Sequence, residues 1–555
     1  MSRMIVIKCE NDNKKYEFEL GTTLKEVAGT ILKKPKYLIV GARVNNKIKE
    51  LWYDIYKPKH IKFIDISDID GMRMYIRSLC FVFIKAVSEK YPSSMAVVKH
   101  SISQGLYCEI DGLEKPLTDE DVKDIKNRMK TIIDADIPFV RKEIETTEAI
   151  RIFNENKLFE KAKLFKTRSL LYTSVYYLDK TVSYFYGALV PSTGYLQVFD
   201  LIKYNEGMLL RFPITQNPDH LGAMIKQDQL FKIFKEHKRG IKILGIEGVG
   251  SLNEIVQYGN IGEIIKISEA LHEKKIANIA DEIYNRKDKL KVILISGPSS
   301  SGKTSFCKRL AIQLKVIGLK PVLLYLDDYF LDRELTPKDE NDEYDFENLN
   351  AIDVKLLNEN LLDLMAGKEV HLPKFDFAKG RRINKHTNLK IKEDNIILME
   401  GIHGLNPELT PMIPHEAKYK IYVSALTQIA IDNHTRIPTT DNRVLRRIVR
   451  DYKYRGCGAL EILKRWSSVR RGEEINIFPY QEEADAMFNS ALMYEFGVLK
   501  KYAEPILRNV PQNAYEFSEV TRLLKFVSYF LPIDEIEIPP TSILREFLGG
   551  SSFEY

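Results

Sequence analysis

Alternating apolar and polar positions open the chain. Met4 to Lys8 and Tyr16 to Leu20 read as strands, a helix follows from Thr23 behind Gly21-Thr22, and Tyr37 to Val44 reads as another strand. Asn45-Asn46 parts Arg43-Val44 from Lys47-Ile48-Lys49, the spacing of a hairpin. From about Gln227 to Lys289 the period becomes helical, with charged clusters Lys235-Glu236-His237-Lys238-Arg239 and Glu273-Lys274-Lys275. That pattern predicts a helical connector with a solvated face, and it leaves a basic RNA-contacting patch open. Further on, strand-length apolar runs (Val292 to Ile295, Val322 to Leu326, Ile396 to Met399, Tyr419 to Val423) alternate with helical spacing, as in Phe306, Leu310, Leu314 and Ile317. The alternation predicts an α/β unit whose parallel sheet is covered on both faces, which puts ligand-binding residues at the carboxyl ends of the strands.

Length changes this picture little: 555 residues exceed what one core serves, so several domains are expected. Hydrophobic content of 44% with 29% charged residues fits a folded, soluble chain, and a net charge of +6 is too dilute to demand a nucleic-acid partner. The five cysteines are scattered and never spaced C-x-x-C, which argues against a disulfide framework or a zinc ribbon. The first residues run straight into a strand pattern without a signal peptide's apolar core. The longest apolar stretch, Leu79 to Ile84, stops at Lys85 and is too short for a membrane span. A reduced cytoplasm is the expected compartment.

Candidate chemistry concentrates in Gly297-Pro298-Ser299-Ser300-Ser301-Gly302-Lys303-Thr304, the pattern G-x-x-x-x-G-K-[ST] placed between an apolar run and a helix. Its glycines let the backbone curl until successive N–H groups point inward at phosphate oxygens, and the helix N-terminus adds partial positive charge. Lys303 would reach the β and γ phosphates of ATP and Thr304 would offer its hydroxyl to Mg²⁺, with Gly297, Ser299, Ser300, Ser301, Gly302 and Ser305 completing the nucleotide contacts. The second apolar run ends in Asp327-Asp328-Tyr329-Phe330 and the third in Glu400-Gly401-Ile402-His403. Phosphoryl transfer to an alcohol needs one carboxylate to take the acceptor's proton and another to hold the metal, roles that suit Asp327 and Glu400. Arg447 and Arg450, three apart on a helix, share a face from which they can fold over a triphosphate.

Three stretches resemble known families. Leu20-Gly21-Thr22-Thr23-Leu24 and Val44-Asn45-Asn46-Lys47 resemble the TGS domain, a β-grasp module. Ile102 to Ile110, Leu117 to Val122 and Val190 to Tyr195 resemble the second N-terminal, editing-type domain of threonyl-tRNA synthetases. That family's metal pairs, H-x-x-x-H and C-x-x-x-H, fall on Phe81 and Lys85 and on Phe185 and Leu189, so hydrolytic editing is not expected. Residues 290–510 resemble the uridine kinase branch of the uridine kinase and phosphoribulokinase family. The likeness rests on the phosphate loop, Asp327 to Phe330, Tyr344 to Asn348, Pro373 to Phe377, Met399 to Ile402 and Arg446 to Asp451. It implies Asp327 as base, Glu400 at Mg²⁺, Glu347 at ribose hydroxyls, and Arg447, Arg450 and Arg455 as a lid. The family's base-reading tyrosine and histidine correspond here to Phe375 and Gly380, and another arginine to Cys457. Phe375 can still stack on a base, while Arg382, with Lys379 and Arg381, stands ready to read an acidic group or another base.

The expected organisation is a TGS-like domain (1–67), a synthetase-like domain without its metal ligands (68–226), a helical connector (227–289), a P-loop kinase domain (290–510) and a C-terminal extension (511–555). The expected activity is ATP-dependent, Mg²⁺-assisted phosphoryl transfer to a small-molecule hydroxyl, foremost the 5′-hydroxyl of a nucleoside. A sugar or other small alcohol stays open as acceptor, as does a nucleotide-gated, RNA- or ribosome-associated ATPase. RNA and a second copy of the chain stay open as partners; a membrane is not expected.

Overall fold

The computed structural model describes residues 3–338, 342, 344–376 and 379–555, the side chains of 237–239, 242 and 384–386 lying outside the description. Phe377 and the side chains of His237, Lys238 and Arg239, singled out above, therefore fall outside it. Five strands form the first sheet in the order Lys14–Glu19, Met4–Cys9, Lys59–Ile64, Gly41–Val44, Lys47–Glu50, with only the second and third parallel. Thr23 and Glu26 cap the helix Leu24–Ile31 reciprocally, which is why it starts where the sequence indicated. Asn45 and Asn46 both take positive φ (47° and 58°), as a two-residue hairpin turn requires. The fourth strand begins at Gly41 rather than Tyr37; ahead of it Leu38 stands 61% exposed while Val40 is buried.

The next unit wraps the long helix Ile69–Lys90 with antiparallel strands. Leu79 to Ile84, the longest apolar stretch, lies at its buried centre. Phe81 is fully buried, its ring centroid 5.2 Å from Phe185 and 5.8 Å from Phe139, with Leu189 buried in the same cluster. Lys85 pairs with Glu89 (2.9 Å) and Asp179 (3.2 Å). Where the resembling family would hold a metal ion, this chain holds packed hydrocarbon and a neutralised lysine.

The connector is helical, as Asp228–Leu244, Val249–Gln257 and Ile261–Tyr284, but it is not merely a solvated link. Ile265, Ile276, Ile279 and Ile283 form a buried stripe on the last of these, and Glu273 accepts from Arg309 (2.7 Å) on the helix behind the phosphate loop. The kinase-like sheet is wholly parallel, in the order Lys320–Tyr325, Asn395–Glu400, Val292–Ser296, Lys418–Ser424, Ala486–Asn489. Its central strand is buried at every position, since helices cover both faces. Residues beyond 510 belong to the same core: Phe526 and Phe530 of the C-terminal segment pack their rings against Phe496 at 5.1 and 5.0 Å.

Candidate nucleotide site

The central strand ends at Ser296, and the next residue must be glycine because a Cβ on Gly297 would run into the carbonyl of Val423. Ser300 (φ 58°) and Gly302 (φ 82°) turn the backbone left-handed, and the helix Lys303–Val316 starts directly afterwards. Lys303 Nζ donates back to the Pro298 carbonyl at 3.2 Å, so its ammonium folds over the loop. The hydroxyls of Ser300 and Ser301 are buried without a partner. Two orphaned donors, an ammonium and the open amides of a helix N-terminus fit a polyphosphate. Thr304 Oγ1 donates to Glu400 Oε2 at 3.2 Å, pairing a hydroxyl with a carboxylate at the end of the neighbouring strand. Such hard oxygen donors suit Mg²⁺.

Three acids share the field of Lys303. Asp327 sits in the 3₁₀ turn Leu326–Tyr329 just past its strand, with its side chain open to solvent; the protein packed around it nudges its carboxyl up, Lys303 opposes that, and Asp328 adds to it. Burial likewise lifts Glu400 to about 7 against the pull of Lys303, with Asp327 and Glu546 pushing further. Glu347 reaches about 7 as well, through burial first and then Glu473, opposed by Arg447 and Lys303, and its Oε2 is buried without a partner. Asp328 points to structure instead, accepting from Lys374 (3.1 Å) and from the Phe375 amide (3.3 Å).

The helix Thr439–Arg455 lies against the loop and ends at Gly456 in left-handed conformation. Arg447 Nη1 donates to Ser299 Oγ at 3.1 Å, and Arg450 Nε to Asp451 at 2.8 Å. Burial alone would raise the Asp451 carboxyl, but Arg450, Arg455 and Arg447 outweigh it and hold the group below its ordinary range. Arg443, not singled out from sequence, donates to the Ser299 carbonyl at 3.0 Å and pairs with Glu473, which itself accepts from the Ser299 amide at 3.0 Å. Its position four residues before Arg447, on the same face, was the available signal. Glu473 carried none.

Two residues expected at the substrate make contacts within the fold. Arg382 engages the fold through each of its three nitrogens: Nε to the Phe330 carbonyl (3.1 Å), Nη1 to Asp353 (3.1 Å) and Nη2 to the Tyr329 carbonyl (3.0 Å). It pins the hairpin Glu369–Asp376/Arg381–Lys390 to the turn that carries Asp327. Phe375 is buried beside Phe330, ring centroids 5.8 Å apart, so it packs in the core rather than offering a free face. Gly380, at φ 65°, makes the hairpin's tight turn. Ser305 is already engaged: its amide and hydroxyl donate to Glu546.

Residues 292–494 match the model of the Phosphoribulokinase / Uridine kinase family. A uridine kinase of Staphylococcus aureus (strain JH9) is 34% identical over 181 residues, 32% of this chain and 77% of that protein. A threonine–tRNA ligase of Desulforamulus reducens is 29% identical over 246 residues, 42% of this chain. The chain spans 38% of that ligase's length. Among solved structures, one described as a possible uridine kinase from Bacillus stearothermophilus is 18% identical, covering 38% of this chain and all of that one, at a TM-score of 0.26.

Proposed function

The chain belongs to the phosphoribulokinase / uridine kinase family, and from that premise we propose that it transfers the γ-phosphoryl group of ATP to the hydroxyl of a nucleoside-like small molecule. The supporting observation is the contact of Thr304, in the first turn behind the phosphate loop, with Glu400 at the end of the neighbouring strand, Asp327 and Glu347 sharing the field of Lys303 beside it. Lys303 and the amides and hydroxyls of residues 297–305 hold the phosphates, and Asp327 takes the proton of the attacking hydroxyl. Glu347 accepts from further hydroxyls of the acceptor. Mg²⁺, with Thr304 and Glu400 as ligands, supplies neutralisation of phosphate charge when bound. Arg447 and Arg450 face the loop from their helix and stabilise charge as it develops on the transferring group.

With Phe375 and Arg382 committed to the fold, base discrimination rests on other groups, and a polyol without a base is the alternative acceptor. The test is ADP release across a panel of nucleosides and sugar alcohols, with Asp327→Asn alongside. One acceptor should drive turnover in the parent, and the variant should lose it while keeping ATP affinity. Turnover retained by Asp327→Asn would remove the base, and ADP release indifferent to every acceptor would replace transfer with hydrolysis.

A further inference from the structure

The C-terminal segment ends on the phosphate loop. Glu546, in the short helix Arg545–Leu548 and 9% exposed, accepts from the Ser305 hydroxyl at 2.6 Å and the Ser305 amide at 3.3 Å. Tyr555, the last residue given, places its hydroxyl 2.8 Å from the same Ser305 Oγ, while Lys308 Nζ lies 5.0 Å from its ring centroid. Ile543 packs over Gly302, where a Cβ would strike it, and Leu548 accepts at its carbonyl from Lys453 on the arginine helix. Phe547 lies under the guanidinium of Arg446 at 5.0 Å. The contacts anchor the segment on both the loop and the helix that faces it.

Ser305 is in the first turn of its helix, where amides have no partner within the helix and serve phosphate oxygens instead. A carboxylate on that amide and hydroxyl takes two donors from an incoming nucleotide, and it sets a negative charge where the phosphates' own charge must go. We propose that Glu546 is a built-in competitor of the nucleotide: phosphates take the Ser305 donors only when the segment 542–555 lifts. The inference rests on the phosphate loop being a nucleotide site, as above. The segment lies outside residues 292–494, which match the family model.

Titration calorimetry of Mg-ATP on the full chain, on Glu546→Gln and on Lys303→Ala tests it, together with hydrogen exchange of residues 542–555. Glu546→Gln keeps the side chain's size and removes its charge, so folding is preserved; circular dichroism checks that. The expected result is affinity about tenfold tighter in Glu546→Gln, since a hydrogen bond to a charged group is lost from the competing state. Exchange across 542–555 in the parent should quicken on adding ATP. Equal affinity in parent and Glu546→Gln, with exchange unchanged by ATP, overturns the competitor while leaving the nucleotide site standing. No ATP binding by any of the three proteins overturns the nucleotide site itself, and the competitor with it.

Discussion

Replacing Glu347 by Gln isolates one electrostatic contribution and fixes its sign. Burial and the neighbouring Glu473 raise this carboxyl from its ordinary 4.5 to about 7. The folded protein therefore binds the proton more tightly than the unfolded chain does. Between those two values the native state holds more protons, so stability falls as pH rises, and it is flat on either side. The displacement corresponds to about 2 to 3 kcal/mol once some screening by solvent at this partly accessible group is allowed. Glutamine has no charge to desolvate, so the variant should gain on the parent as pH goes from 5 to 8. Because Oε2 lacks a partner, the new amide also loses something, on the order of 1 to 3 kcal/mol, but equally at every pH. The readout is thus the slope and not the offset. Scanning calorimetry of both proteins at half-unit steps should show the difference in melting temperature widening by about 2–4 °C over that range. A difference that stays constant from pH 5 to 8 would refute the reasoning, because it would mean that Glu347 is solvated and ordinary.

Other outcomes follow from packing. Gly297→Ala, whose methyl meets the Val423 carbonyl, should abolish ATP binding by calorimetry while the front half of the molecule keeps its melting transition. Phe81→Ala removes a fully buried ring between Phe139 and Phe185, and should lower unfolding free energy by about 3–5 kcal/mol in a urea titration. Arg446→Met strands the wholly buried Glu495 and should cost about 3–5 kcal/mol, whereas adding Glu495→Leu should recover most of it, in the same titration.

What could be read from sequence was set by distance along the chain. The phosphate loop is legible because phosphate chemistry dictates residue types within eight positions, and the strand before it and helix after it show their own periods. Asp327 and Glu400 are legible as strand-end acids for the same reason. The clamp of Arg443 and Glu473 on Ser299 is not, since thirty residues part the two charges and only tertiary packing unites them. Arg382 misleads in the opposite direction: a basic loop residue looks free until Tyr329, Phe330 and Asp353 are seen to surround it. The connector's charged clusters likewise drew attention from the isoleucine stripe that carries its burial.

Charge also runs unbroken from the strand Gly41–Val44 to the arginine helix. Arg43 pairs with Asp68 (3.0 Å) and Asp70 (3.1 Å), and Asp70 with Arg73 (3.0 Å). Arg73 meets Glu519 (2.6 Å), Glu519 meets Arg522 (2.6 Å), and Arg522 meets Asp441 (2.6 Å). Asp441 lies in the first turn of the helix that presents Arg443 and Arg447 to the phosphate loop. Glu519 is the hinge of this series: without it Arg73 and Arg522 would face each other as like charges in a place where water screens poorly. The segment that carries Glu519 also carries Glu546, so one stretch of chain grips the arginine helix at its start and the phosphate loop at Ser305.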